Sequence, residues 1–294
     1  MITRQQLIDE LKVIGLKVGD IVNVKVSLRS IGEIDGGVNA LIEAILDAIG
    51  PSGTLICDSF IAAHYTMFRW LYRNSVSLPS TSSYAGAFVN AMINHPLAER
   101  SSHPIQAFTA IGYYAKKLTS EFTKDSKPYG FLEVIAGLGG KNLRIGDKVV
   151  GVGTTHIAIC NLGLCQKYIP GGVYYLDNGK KRYYSHFWAS GCNVGFNKLM
   201  PYYYEGGAVL GEGRIGEASA LLTSMKATLV IESDLLKRQP DAFFCNNPSC
   251  VSCSFTWKHS HYSFADCIKA NLKRRRYKRM LYACFVQFFG RWHK

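Results

Sequence analysis

No apolar run in this 294-residue sequence reaches the roughly 18 to 20 uncharged residues that a membrane-spanning helix needs. Met1 is followed by a polar helix start rather than a charged segment and an apolar run, so no secretory leader is expected and the expected location is the cytoplasm. Acid is scarce, with 21 Asp and Glu against 34 Lys and Arg, and residues 269–294 contain none. That stretch holds nine Lys and Arg; setting them aside reduces the net charge from +13 to +4, so the body is only mildly basic. There is no recognisable nucleic-acid-binding module to accompany the charge, and no nucleic-acid partner is expected. Internal repeats and low-complexity linkers are also missing. An odd count of nine scattered cysteines does not suit a disulfide framework. Cys57, Cys160 and Cys192 sit among apolar or small residues and read as buried, inert thiols.

What is present reads as an alternation of helices and strands. Leu7, Ile8, Leu11 and Ile14 share one face of a helix over 3–14, with Thr3 as N-cap and Gly15 as its stop. The β-branched run Ile21 to Val26 predicts a strand. Gly36-Gly37 opens a second helix bearing Val38, Leu41, Ile42, Ile45, Leu46 and Ile49, closed by Gly50-Pro51-Ser52-Gly53, and Thr54 to Cys57 predicts the next strand. Strand, glycine turn, helix, strand is a βαβ unit, which predicts an α/β three-layer sandwich with a largely parallel or mixed central sheet. Further on, Tyr84 to Ile93 predicts a helix, Lys148 to Gly153 a buried strand, Gly216 to Met225 a helix and Ala227 to Ile231 a strand. Residues 170–210 show no clear period.

Three blocks carry more specific information. The first is Val24-Lys25-Val26-Ser27-Leu28-Arg29-Ser30-Ile31-Gly32 with Gly36-Gly37 and Gly50-Pro51-Ser52-Gly53-Thr54-Leu55. The second is Arg100-Ser101-Ser102-His103-Pro104, followed by Ala107 to Gly112. The third is Val150-Gly151-Val152-Gly153-Thr154-Thr155-His156-Ile157-Ala158. In this order and spacing they resemble the aminoglycoside 3-N-acetyltransferase family over the first three quarters of the chain. The resemblance implies transfer of an acetyl group from acetyl-CoA to the amine of an amino sugar.

It also implies roles. Lys25, Ser27, Leu28, Arg29, Ser30, Gly36, Gly37, Ser101 and Ser102 are the expected CoA-binding residues. Backbone N–H groups at a glycine-led helix start suit its pyrophosphate independently. His156 is the expected general base, with Thr155 and His103 beside it, because acyl transfer needs the amine unprotonated when it attacks. The family's pattern places a Glu three residues after the His, where this chain has Ile159. A gapless alternative sets Asn161 in the His place and Leu164 in the Glu place. Glu205 and Glu212 are candidates for the missing acid. Lys25 stands where the family commonly has His. Residues 160–210 hold only Asp177 and Glu205, a poor site for a polycation. The expected acceptor is therefore an amino sugar of cell-surface polysaccharide synthesis. The alternatives are an aminoglycoside antibiotic or a catalytically silent saccharide- or partner-binding protein.

The expected organisation is an acetyltransferase domain over 1–240, a cysteine-rich segment over 241–268 and a basic amphipathic tail over 269–294. Cys245, Cys250, Cys253 and His259 make one candidate ligand set for a structural zinc, since three thiolates and an imidazole complete a tetrahedron. The tail sets basic residues beside Met280 to Phe289. It fits a peripheral membrane contact, or equally a helix packed on the body or on a second copy of the chain, as in a homodimer.

Overall fold

The structure, a computed structural model, describes residues 1–146, 154–189 and 191–292. The strand expected over 148–153 lies outside them. The strands are β1 (Ile21–Val26), β2 (Thr54–Asp58), β3 (Val76–Ser77), β4 (Glu99–Arg100), β5 (Phe108–Gly112), β6 (Lys141–Ile145), β7 (Lys167–Asp177), β8 (Lys180–Trp188), β9 (Val209–Ile215), β10 (Ala218–Ser224) and β11 (Arg291–Trp292).

Thr3 caps the Arg4–Ile14 helix by accepting from the Gln6 N–H, and Gly15 closes it at φ 107°, so the helix ends where its sequence requires. Its buried face, Leu7, Leu11 and Ile14, packs with Leu41 and Ile45 of the Gly37–Ile49 helix on one face of the sheet. Alternation along β1 sends Val22 and Val24 to that layer and Ile21 to the other. There it meets Phe108, Leu118, Leu132, Ile135, Ile157 and Met225. Buried Asn23, on the same face as Ile21, donates to Asn142 Oδ1 at 3.1 Å. The result is a three-layer sandwich around a seven-stranded sheet, order β4-β5-β2-β1-β6-β10-β9. β1 runs parallel to β2 and β6, and the outer pairs are antiparallel, so the sheet is mixed.

Two expected elements are exchanged. Residues 218–224 form β10 and not a helix, and Met225–Arg238 is a helix and not a strand. β10 lies between two partners with Ala218, Ala220, Leu221 and Leu222 buried, and such a run shows no strand alternation. The following helix is capped by Ser224, which accepts from the Ala227 N–H. It buries Met225, Thr228, Glu232, Leu235 and Leu236 at helical spacing, leaving Val230 exposed.

The first half of the stretch without a clear period is a hairpin, β7–β8, turning at Asn178 (φ 50°) and Gly179 (φ 74°), and short helices over Asn193–Phe196 and Met200–Glu205 follow it. The C-terminal segments pack against it. β11 pairs with β7, and Lys167 of β7 donates to the Gln287 carbonyl and side chain. Ala283 and Val286 are buried with Ile169, Val251, Phe255 and Cys267. The tail is thus a packed helix on its inner face, while Leu281, Phe288 and Phe289 stay exposed. No helix among the described residues is long and apolar enough to cross a membrane.

Antiparallel pairing of β2 with β5 ends at Thr54 and Gly112, where Gly112 has φ 116° and a Cβ would sit 2.3 Å from the Gly53 carbonyl oxygen. Gly112→Ala is expected to destabilise the fold by about 3 kcal/mol. Gly137→Ala, at a helix end with open space around it, should be neutral or stabilising. Urea denaturation midpoints of the two variants check the contrast.

Candidate active site

A cleft of about 640 Å³ opens where the parallel strands β1 and β2 end. In open α/β sheets the carboxyl ends of parallel strands are where ligands bind, because the chain leaves the sheet there and polar groups are free to face a crevice. Lys25 comes from the end of β1 and Asp58 is the last residue of β2; both line the cleft, paired at 3.1 Å through Asp58 Oδ2. Asp58 Oδ1 is buried and makes no hydrogen bond within the protein. Tyr84, Gln106 and Tyr129 stand beside them, and Gln106 Oε1 accepts from the Tyr129 N–H at 3.3 Å. Gly191, Asn193 and Ser252 form part of the wall, and Tyr282 of the C-terminal helix completes it.

His156 enters the cleft from the first turn of the Thr155–Asn161 helix. Its ring stacks on Tyr129 with centroids 4.7 Å apart and meets the Phe196 ring edge-on at 5.1 Å. Nδ1 is buried and unpartnered. Burial first, and the nearby Lys25 ammonium second, lower its pKa to about 4. The imidazole is therefore neutral at pH 7.

One residue earlier, Thr155 donates to Glu232 Oε1 at 2.6 Å, and Tyr203 donates to the same oxygen at 2.6 Å. Thr154 donates to Thr228 at 2.9 Å on the same helix as Glu232. Glu232 is fully buried. Burial pushes its pKa up to about 7, opposed by the hydrogen bonds from Thr155 and Tyr203. It anchors the helix that presents His156.

The remaining expected residues sit elsewhere. His103 is 1% exposed and does not line the cleft. Its Nδ1 accepts from the Ile105 and Gln106 N–H groups, so it shapes the loop that carries Gln106. Ser101 Oγ accepts from the Phe108 N–H, while Ser102 is exposed. Of the nine expected CoA residues only Lys25 lines the cleft. Ser30 donates to Ser27, Arg29 is exposed, Leu28 starts a single helical turn, and Gly36-Gly37 lies exposed at a helix start. Asn161 bonds Glu133 and Lys127 outside the cleft, so the geometry favours His156 over the gapless alternative. Glu205 is exposed and Glu212 accepts from Tyr204, so neither faces His156. Cys245, Cys250 and Cys253 do come together, with Cys192 and not His259 as the fourth member. The sequence reading missed Asp58, Gln106, Tyr129, Glu232 and Tyr282. A carboxylate on the buried stripe of a helix was the one available signal for Glu232.

Burial lowers His103, His156 and His186 to about 3, about 4 and about 4. Unfolded histidine takes up its proton near pH 6.5, so the stabilisation from these three is complete above that pH and lost as pH falls towards 4. Glu232 opposes them, because its raised pKa favours the folded state as pH falls from 7 towards 4.5. Near pH 5.5 the unfolded chain holds about three of these protons and the folded chain about one. Net stability is therefore expected to fall between pH 6.5 and 4.5, as read from urea midpoints across that range.

Comparisons with known proteins identify the family and the fold. The family model described as aminoglycoside 3-N-acetyltransferase matches residues 24–237. The aminoglycoside N(3)-acetyltransferase VIII of Streptomyces fradiae is 31% identical over 160 residues, covering 49% of this chain and 56% of that protein. A prophage-derived aminoglycoside N(3')-acetyltransferase-like protein of Bacillus subtilis is 29% identical over 135 residues, covering 40% and 50%. The chain thus spans little more than half the length of these relatives. The crystal structure of the aminoglycoside acetyltransferase AAC(3)-IVa superposes with a TM-score of 0.69 at 25% identity, covering 82% of this chain and 91% of that one. That of AAC(3)-IIb gives 0.71 at 23%, covering 81% and 98%. With this sandwich, and with a match that runs from β1 through the helix carrying Glu232, the chain belongs to the aminoglycoside 3-N-acetyltransferase family.

Proposed function

We propose that the chain transfers the acetyl group of acetyl-CoA to an amine of an aminoglycoside-type sugar, with His156 as general base. The observation that carries the proposal is the neutral imidazole of His156 lining the cleft. Family membership supports the chemistry, and relatives of the same fold have been solved with CoASH and with sisomicin. The amine nitrogen attacks the thioester carbonyl carbon, His156 takes the amine proton, the C–S bond breaks and the thiolate leaves to be protonated as CoASH. A histidine lowered to about 4 is wholly in its accepting form at pH 7. Negative charge developing on the carbonyl oxygen nearby raises its proton affinity at the moment it is needed. Phosphates of CoA are proposed to meet Arg29, Ser27, Ser30 and the exposed Gly36-Gly37 helix start, outside the cleft that receives the thioester.

The expected polysaccharide-linked acceptor has weaker support, since the named relatives are aminoglycoside acetyltransferases. One observation keeps an acceptor other than a polycation as the second reading. Among the described residues the cleft has one carboxylate, Asp58, and it is paired with Lys25.

Acetyl-CoA at millimolar concentration should raise Tm by mass action, and Arg29→Ala should shrink that shift without lowering the Tm of the free protein. His156→Ala should lower kcat by about 100-fold or more while retaining the acetyl-CoA shift. Thiol release assayed against a panel of aminoglycosides and phosphorylated amino sugars ranks the acceptors, and no turnover with any aminoglycoside would reject the first reading. The exposed Leu281, Phe288 and Phe289 beside Arg275, Arg276, Lys278 and Arg279 are proposed as a peripheral contact for an anionic membrane. Cosedimentation with anionic liposomes should then fall with salt.

A further inference from the structure

Four thiols from two distant stretches of chain converge behind the cleft wall. The sulfurs of Cys192, Cys245, Cys250 and Cys253 all lie within 4.8 Å of one another, and none is in a disulfide. A zinc ion with bonds of about 2.3 Å holds four sulfurs about 3.8 Å apart, so the cluster needs only slight contraction to close on a metal. Cys250 and Cys253 supply the two-residue spacing of a zinc knuckle. Two sulfurs already accept backbone hydrogen bonds, Cys192 from the Gly195 N–H at 3.3 Å and Cys253 from the Cys245 N–H at 3.4 Å. Such donors stabilise a thiolate and fix its direction. Gly195 also lets the two stretches approach, since a Cβ there would sit 2.0 Å from the Phe243 carbonyl oxygen. Phe196, Phe243 and Trp257 surround the cluster with apolar packing.

We propose that these four thiolates bind one tetrahedral zinc ion, in a closed structural site that pins the wall of the cleft. None of the four cysteines lines the cleft, so the metal has no route to substrate. Their immediate neighbours do. Gly191 precedes Cys192, and a Cβ there would lie 3.2 Å from the His156 ring. Ser252, between Cys250 and Cys253, donates to the Gly191 carbonyl at 2.8 Å. The ion thus joins the 192 and 245–253 stretches beside two residues of the cleft wall, Gly191 and Ser252. The assignment is independent of the acetyl-transfer reading.

The test uses the full chain, purified under reducing conditions without chelator. Elemental analysis should find about one zinc per chain. Cobalt exchanged into the site should show thiolate-to-cobalt charge transfer and the visible bands of a tetrahedral ion. Cys192→Ser and Cys250→Ser should lower bound zinc by at least about tenfold, whereas His259→Ala and Cys284→Ser should keep it. If the cysteine variants fail to fold, a mercurial that titrates thiols of the native protein should release the zinc to a chelating dye. Protein without zinc, protein holding these cysteines as disulfides, or a Cys192→Ser variant with full zinc content would overturn the proposal.

Discussion

The position of His156 rests on one carboxylate oxygen. Glu232 Oε1 takes hydrogen bonds from Thr155 and Tyr203, both at 2.6 Å, and so ties three helices together at the base of the cleft. A lone carboxylate in that interior would be costly; two short hydroxyl donors offset part of the cost, and a pKa raised to about 7 reflects what remains. Removing either hydroxyl would leave the other partner and a buried charge to share the penalty. The helix start that aims the imidazole is therefore held by a polar contact whose geometry tolerates little drift, whereas apolar packing alone would permit sliding.

Against that anchor, the charge balance of the cleft is distinctive. Lys25 and Asp58 neutralise one another at the strand ends, and Lys25 also depresses the histidine. Burial is the larger cause, and the two together leave the imidazole unprotonated at neutral pH. The Lys25 pair engages Asp58 Oδ2 and leaves the buried Oδ1 without a hydrogen bond within the protein.

The C-terminal quarter is part of this machinery. Ser252 and Tyr282 line the cleft, and β11 and Lys167 fasten the last helix to β7. Arg274 reaches Asn247 and Ser249, while Arg275, Arg276, Lys278 and Arg279 are exposed, so the last helix gives one face to the core and the other to solvent.

Local chemistry was enough to read the first sixty residues. Thr3 and Gly15 bound a helix, a β-branched run makes β1, a glycine pair opens the next helix, and the parallel unit follows, because each signal acts within a few residues. The three-layer sandwich was legible on the same grounds, together with the family resemblance. Asn178-Gly179 was an equally local signal for the β7–β8 hairpin, left unused because the surrounding aromatics gave no clean period. The exchange of strand and helix around Ser224 was beyond local reading, since β10 is buried on both faces and its partners come from residues 141–145 and 209–215. His103 has the loop setting of a site residue, and only the packing of Phe122 and Tyr184 around it, with the turn it caps, makes it structural. Glu232 reaching Thr155 and Cys192 joining cysteines more than fifty positions away depend on long-range closure. Sequence determined the elements and the chemistry available to them; the tertiary structure decided which polar groups share a buried volume, since that is a property of three-dimensional proximity and not of spacing along the chain.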